Sequence, residues 1–401
     1  MPTNTKNVPE VFARLKWASK KVAIRRSGLL CLCCALTIAS NGCGAFQGGK
    51  ESAPSTPTDE AIEKALTFND VTLEQVDDEG KMVWKVRSPI ARYSAENEVT
   101  YVERPEGELF RAGELVYKIR AKRGEVYQNG AKILLKEEIV ATAVATKAVL
   151  EGEELEWLPA EDLLVVRNNV RGTHPEMEIS GNEARAYSRA KRIELTGNAI
   201  GTTRQAPVLQ LSGEHFVWQI DDRTVTSDRP IQIERYPCEN VRDCAATDVA
   251  VSDRAQLKID TKIADFQQNT EIRLTEPPLT VTGDRMVWDL DAQTIDSAQP
   301  VTLVQRKQEL TFTGQRGRLE IDRKLAELTG GVTGVARNPE ANLQADRMTW
   351  SIPTEEFEAQ GDVIYRQSEP PMTLSGPKAF GKLRDRNVVV TGGNVVTDII
   401  P

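Results

Sequence analysis

The sequence is poor in the residues that most active-site chemistry requires. Of its 401 residues two are histidine and six are cysteine, and aromatics make up 5%. His174 and His215 stand 41 positions apart, too far to share a metal at ligand spacing, so neither a metal nor a cofactor is expected. No glycine-rich phosphate loop, nucleophile elbow or His-containing triad is present, and the chain is expected not to be an enzyme. A basic excess is lacking as well. The formal charge of −8 offers no field for a nucleic-acid backbone. Helix signals are confined to Asp59 through Leu66, where Thr58 or Asp59 could cap a brief turn.

What is present begins with targeting. Seven Lys/Arg precede Ser27 against the single acid Glu10, which leaves the remainder near −14. Ser27 to Gly49 carries no charge, and its apolar heart is Leu29 to Ala39, about half of the roughly 20 residues that a spanning helix wants. That pattern fits an export signal. It ends Ser40-Asn41-Gly42-Cys43-Gly44, similar to a bacterial lipoprotein processing site, with Cys43 as the lipid anchor. An uncleaved signal anchor and simple secretion are the alternatives. Gln47 to Glu60 then reads as a polar Gly/Pro/Ser tether. Cys31, Cys33 and Cys34 are small hydrophobes of the signal. Cys238 and Cys244 remain in the exported body, an even pair expected to form a local disulfide in an oxidising compartment.

The main signal is a repeat. Gly283, Gly314, Ala345 and Gly376 fall 31 residues apart, and so do Gln299, Gly330, Gly361 and Gly392. Two columns sharing one period mark a stacked-repeat architecture. Gly152, Gly181 and Gly213 continue it with spacings of 29 and 32, and a gap of 39 from Gly213 to Ser252 contains both body cysteines. Within a unit apolar residues alternate, as in Met286, Trp288 and Leu290, so the units are strands. Glu79-Gly80, Asn129-Gly130, Gly197-Asn198, Gly330-Gly331 and Pro370-Pro371 read as turns, giving about three short strands per unit.

A strand with one apolar face cannot bury it alone and must share it along the stack. Either the sheet curls into a solenoid filled by its own side chains, or it stays an open V around a greasy trough. Bulky Trp and Met alternating with Leu and Ile favour the trough. Its expected lining is Met82, Trp84, Leu115, Tyr117, Ile119, Leu155, Trp157, Phe216, Trp218, Leu257, Ile259, Met286, Trp288, Leu290, Leu319, Ile321, Met348 and Trp350. For each of these, plain core packing is the competing reading.

The front segment, Leu66-Thr67-Phe68-Asn69-Asp70-Val71 through Gly80-Lys81-Met82-Val83-Trp84, with Ala91-Arg92-Tyr93 and Tyr117 to Gly124, resembles LptC, the periplasmic component of the lipopolysaccharide exporter. Later units such as Leu328-Thr329-Gly330-Gly331-Val332 resemble LptA/OstA-type repeats. The resemblance covers roughly residues 66 to 400. It implies an all-β, twisted, open β-jellyroll preceded by a membrane anchor. It divides the chain into a signal or anchor (1–46), a linker (47–60), an LptC-like module (61–172) and LptA/OstA-like repeats (173–401). It further implies a periplasmic, inner-membrane-anchored bridge that holds acyl chains of lipopolysaccharide or a similar glycolipid. Its implied partners are an LptBFG-type ABC transporter and a further jellyroll or an outer-membrane LptD-type protein. Asn387 to Pro401 keeps strand character, so this C-terminal edge is expected either to pair with a second jellyroll or to fold back onto its own sheet. The chain departs from the short LptC pattern by carrying extra units.

Two other classes fit parts of the pattern. Asp260, Asp291 and Asp322 recur 31 apart and could align as in a polysaccharide-cleaving β-helix, although each follows its strand as a turn residue would. A structural or adhesive β-repeat protein of the cell envelope needs no trough at all. The recurrent Asp253-Arg254, Asp284-Arg285 and Asp346-Arg347 read as solvated strand starts or as contacts to head-group phosphate.

Overall fold

The computed structural model describes residues 66–94, 97–337, 340–382, 385, 387–393 and 395–399. The expected signal, Cys43 and the tether lie outside the described residues, as does the expected helical turn apart from Leu66, which opens the first strand. Among the described residues no helix is long and apolar enough to cross a membrane.

The described residues belong to one compact unit, and among them 28 strands form a single sheet in which each strand pairs antiparallel with its neighbours. The strands form 21 rungs, because seven rungs are each broken midway into two strands. Each 31-residue period is therefore two long rungs, one out and one back, and not three short strands. The sheet is continuous where the two modules are expected to meet, since Leu163–Thr173 pairs with Met177–Tyr187.

Both columns of the repeat lie on one line, a crease at which every rung bends. In the strand Leu279–Asp289 the buried residues are Leu279, Val281, Met286 and Trp288. The parity switches between Val281 and Met286, because an extra residue at the bend turns the following side chains over. The pairing shifts at the same place: Gln267 pairs with Arg285, and Thr270 with Gly283. Alternate rungs bend through two successive left-handed residues, among them Asn168 and Asn169, Gly197 and Asn198, Gly330 and Gly331, and Gly361 and Asp362. Glycine and asparagine tolerate that conformation best, which is why the column is visible in the sequence. Gly197-Asn198 and Gly330-Gly331 are thus mid-rung bends, whereas Glu79-Gly80 and Asn129-Gly130 do lie between strands. Three of the broken rungs carry a buried serine at the break, Ser227, Ser252 and Ser297. The Ser297 hydroxyl lies 2.9 Å from the Arg285 carbonyl and 2.8 Å from that of Gln299, and accepts the Gln299 N–H at 3.2 Å. Ser227 repeats the arrangement four rungs earlier in the fold.

The bend folds the apolar face of the sheet onto itself, so the rungs end in two rows of turns that face each other across a mouth. The first lip carries turns such as those around Glu176, Glu276 and Gln308. The second carries those around Ser188, Arg223, Gln293, Lys324 and Glu355. Polar contacts tie the lips. Arg223 Nε meets Glu176 at 2.9 Å, Lys324 Nζ meets Glu276 at 2.5 Å, Arg235 Nη1 donates to Gln293 at 3.3 Å, and Gln308 donates to Glu355. Each of these four joins a first-lip turn to the second-lip turn three rungs further on, a stagger of about 14 Å at sheet spacing that follows from the twist of the sheet. Arg111 Nη1, donating to the Ser188 carbonyl at 2.9 Å, spans five rungs instead.

The end rungs are the exposed ones. Leu66 and Phe68 are 65% and 48% exposed, and Phe380 and Val396 are 50% and 54% exposed. Val396–Ile399 folds back on the chain's own sheet by pairing with Met372 to Ser375. Cys238 and Cys244 are joined in a disulfide within the long turn of the first lip between Ile231–Tyr236 and Asp248–Ser252.

Candidate functional site

The interior is packed along most of the stack. Of the residues expected to line a trough, Trp84, Ile119, Leu155, Trp157, Phe216, Trp218, Leu257, Ile259, Met286, Trp288, Leu290, Leu319, Ile321, Met348 and Trp350 are buried. Met82, Leu115 and Tyr117 are half-buried. These large side chains lie in the buried interior. Phe312, for example, lies against Trp350 with ring centroids 4.7 Å apart.

Space survives beside the five-rung contact of Arg111 with Ser188. A cavity of about 230 Å³ lies between residues 111 and 221, with Tyr117 and Trp218 from the expected lining on its wall. Small residues make the room. Ala141, Ala143, Ala145, Ala148, Gly172 and Ala186 border it, where other rungs carry Leu, Met or Trp. Leu150, Leu164, Met177, Ile179 and Ile193 complete an apolar wall. The sequence signal was the run Ala141-Thr142-Ala143-Val144-Ala145, inward-facing positions without bulk, and a search for large apolar residues passes over it.

The rim is polar and carries three cations. Arg111, Lys191 and Arg192 border the cavity together with Asp221. Lys191 pairs with Asp221 at 2.8 Å, and Arg192 pairs with Glu194 at 2.9 Å while its guanidinium stacks over Tyr187 at 4.2 Å. Among the described residues no carboxylate pairs with Arg111. The Ser188 hydroxyl donates to Tyr117 Oη at 3.3 Å, and burial pushes the Tyr117 phenol up from its usual range.

His174 closes one side. Its Nδ1 accepts the Glu176 backbone N–H at 3.2 Å, and its ring meets Trp218 edge-on at 4.9 Å. Burial lowers its pKa, with Arg204 adding to the effect and Glu176 opposing it. A neutral imidazole with an accepting Nδ1 fits that environment. His215 lies elsewhere, 3.1 Å from Asp228, and holds that carboxyl below its usual range.

Asp260, Asp291 and Asp322 do fall in successive second-lip turns, two rungs or about 10 Å apart at sheet spacing, and Asp291 is paired with Lys262 at 3.0 Å. Arg285, from one of the Asp-Arg pairs, is bound to Asp265 at 2.8 Å. Among the described residues no cluster of three or more His, Cys, Asp or Glu could hold a metal.

No curated protein sequence matches the chain. The solved structures include a similar one: the crystal structure of LptH, described as the LptA homologous periplasmic component of the conserved lipopolysaccharide transport device from Pseudomonas aeruginosa. It is 12% identical, with a TM-score of 0.27, over 30% of this chain and 82% of that one. The family comparison is far broader. A model of the family described as lipopolysaccharide-assembly, LptC-related, matches residues 29–205 and 240–337. The interruption spans Val208–Gln219, Thr224–Ser227 and Ile231–Tyr236, one out-and-back pair of rungs. Further rungs follow the second matched segment. With most of its length matched, the chain belongs to the LptC-related family of lipopolysaccharide-assembly proteins, and its role lies in lipopolysaccharide transport.

Proposed function

We propose that the protein is a non-enzymatic, periplasmic lipid carrier that shelters acyl-chain segments of lipopolysaccharide or a similar glycolipid on their way from the inner membrane. The observation that carries this reading is the apolar cavity with a cationic rim between residues 111 and 221. Exposing hydrocarbon to water costs about 0.8 kcal/mol per methylene, so a chain of about twelve carbons resists leaving a bilayer by about 10 kcal/mol. An apolar enclosure lowers that barrier, and Arg111 beside it suits a phosphorylated head group.

In this reading residues 1–46 hold the protein at the inner membrane, through the signal or a lipid on Cys43, next to an LptBFG-type transporter. Residues 47–60 let the body stand off the surface. The 61–172 module receives lipid, and the 173–401 repeats extend the path toward a second jellyroll or an LptD-type protein at the C-terminal edge. The exposed Phe380 and Val396 there support an edge contact. The packed Trp, Met and Leu columns become lipid contacts only where the lips part. A structural β-repeat role is the second reading, favoured by that same packing.

The test is photo-crosslinking in living cells from a cavity position, Val116, and from a packed position, Trp350. Lipid attached at Val116 is expected. No amphiphile at either position, and none copurifying with the protein, would leave the structural role standing.

A further inference from the structure

The cavity wall carries a buried donor without a protein acceptor. Trp218 Nε1 is buried and has no hydrogen-bond partner among the described residues. Trp218 pairs with Ile193 on the adjacent strand, and both residues border the cavity. Buried polar groups in folded proteins are nearly always satisfied, so an orphan on the cavity wall calls for an acceptor supplied from outside.

The position of this donor states which acceptor. Trp218 lies at the end of the strand Val208–Gln219, just inside the second lip, with the apolar wall on one side and the polar rim on the other. In an acylated lipid the atom at that boundary is the carbonyl oxygen of the ester or amide joining chain to head group. It is an acceptor without a donor, as the site requires.

The feature also recurs. Trp157, Trp288 and Trp350 likewise have buried, unpartnered indole N–H groups. Each ends its strand at the second lip, four rungs from the next in the series with Trp218, about 19 Å at sheet spacing. Trp84, on the first-lip side, is the contrast: its N–H donates to Gln75 at 2.6 Å. Trp218 itself stands in the pair of rungs that the family match skips.

We propose that Trp218 is a recognition point for the acyl carbonyl, so that the cavity selects ester- or amide-linked chains over plain hydrocarbon. Trp157, Trp288 and Trp350 are equivalent stations, exposed in turn when the lips above them separate. This rests on the carrier reading, and the test separates the two.

The full exported body is titrated with a short-chain di-ester phosphatidylglycerol and with its di-ether analogue, identical except for the carbonyls. One hydrogen bond of ordinary strength predicts about fivefold tighter binding of the ester by the native protein. The Trp218 indole resonance should move downfield with the ester only. In Trp218→Phe, which keeps an aromatic ring and removes the donor, the ratio of ester to ether affinity should fall to one, whatever the change in the two affinities together. Equal binding of ester and ether by the native protein overturns the carbonyl proposal and leaves the carrier reading intact. Binding of neither overturns both. The native comparison needs no variant, so a misfolded Trp218→Phe would not protect the idea.

Discussion

Filling the cavity should strengthen the fold and abolish the site. The cavity of about 230 Å³ has a mainly apolar lining, so carbons added to its wall gain apolar contact. Ala186 is 7% exposed, borders the cavity and pairs with Leu164 and Ile193. Ala186→Leu adds three carbons, which at about 0.8 kcal/mol each contribute about 2.4 kcal/mol on burial. Overpacking normally opposes such a change by about 1–3 kcal/mol, and here the added carbons enter space that already exists. The expected outcome is a urea midpoint shifted upward, equivalent to about 1–2 kcal/mol, together with loss of binding to a fluorescent fatty acid. Both are measured on one preparation. A folded, stabilised Ala186→Leu that binds the probe as well as the native protein would show that the cavity is not the site. A large fall in stability would show that the space is not there to be filled.

Two further outcomes follow from particular residues. Since burial holds the folded-state pKa of His174 below its ordinary value of 6.5, the unfolded chain binds the extra proton first. The stability this residue secures is present above pH 6.5 and declines as pH falls from there through the folded value. Urea midpoints at pH 7.5 and 5 should differ less in His174→Gln than in the native protein, and an unchanged difference would refute the assignment. At the crease, Gly331 has φ of +68° and open space where a Cβ would lie, whereas at Gly361, φ +81°, a Cβ would come 2.7 Å from the Asp346 Cβ. Gly331→Ala should therefore cost about 1–2 kcal/mol from backbone strain alone, and Gly361→Ala more; denaturation midpoints in the reverse order would contradict the geometry.

Much of this fold is legible because the crease repeats. Most of the left-handed pairs at the crease contain Gly or Asn, and that preference produces the columns at Gly330, Gly361 and Gly392. The same preference misleads on the number of strands: the bend carries turn residues, and Gly330-Gly331 looks like a hairpin when only linear order is available. The apolar columns do fall on the inner face, as their alternation indicates. Their role is harder to read, because alternation reports which face is buried and not what buries it. Phe312 meets Trp350 from two rungs away, a proximity that no local pattern encodes. The cavity is hidden for a converse reason. It is defined by what Ala141, Ala143 and Ala186 lack, and by an Arg111–Ser188 contact between residues 77 positions apart.

The ties across the mouth are few, separate and polar, and this bears on how a bulky amphiphile could pass. A seam fastened by discrete buttons can be undone at one point while the rest stays shut. On the carrier reading proposed above, the work of passage is set by a single fastening such as Arg223 with Glu176 and by the short stretch of interior it guards, not by the length of the whole path. Lengthening the protein by another pair of rungs would extend its reach without raising the highest step along the way.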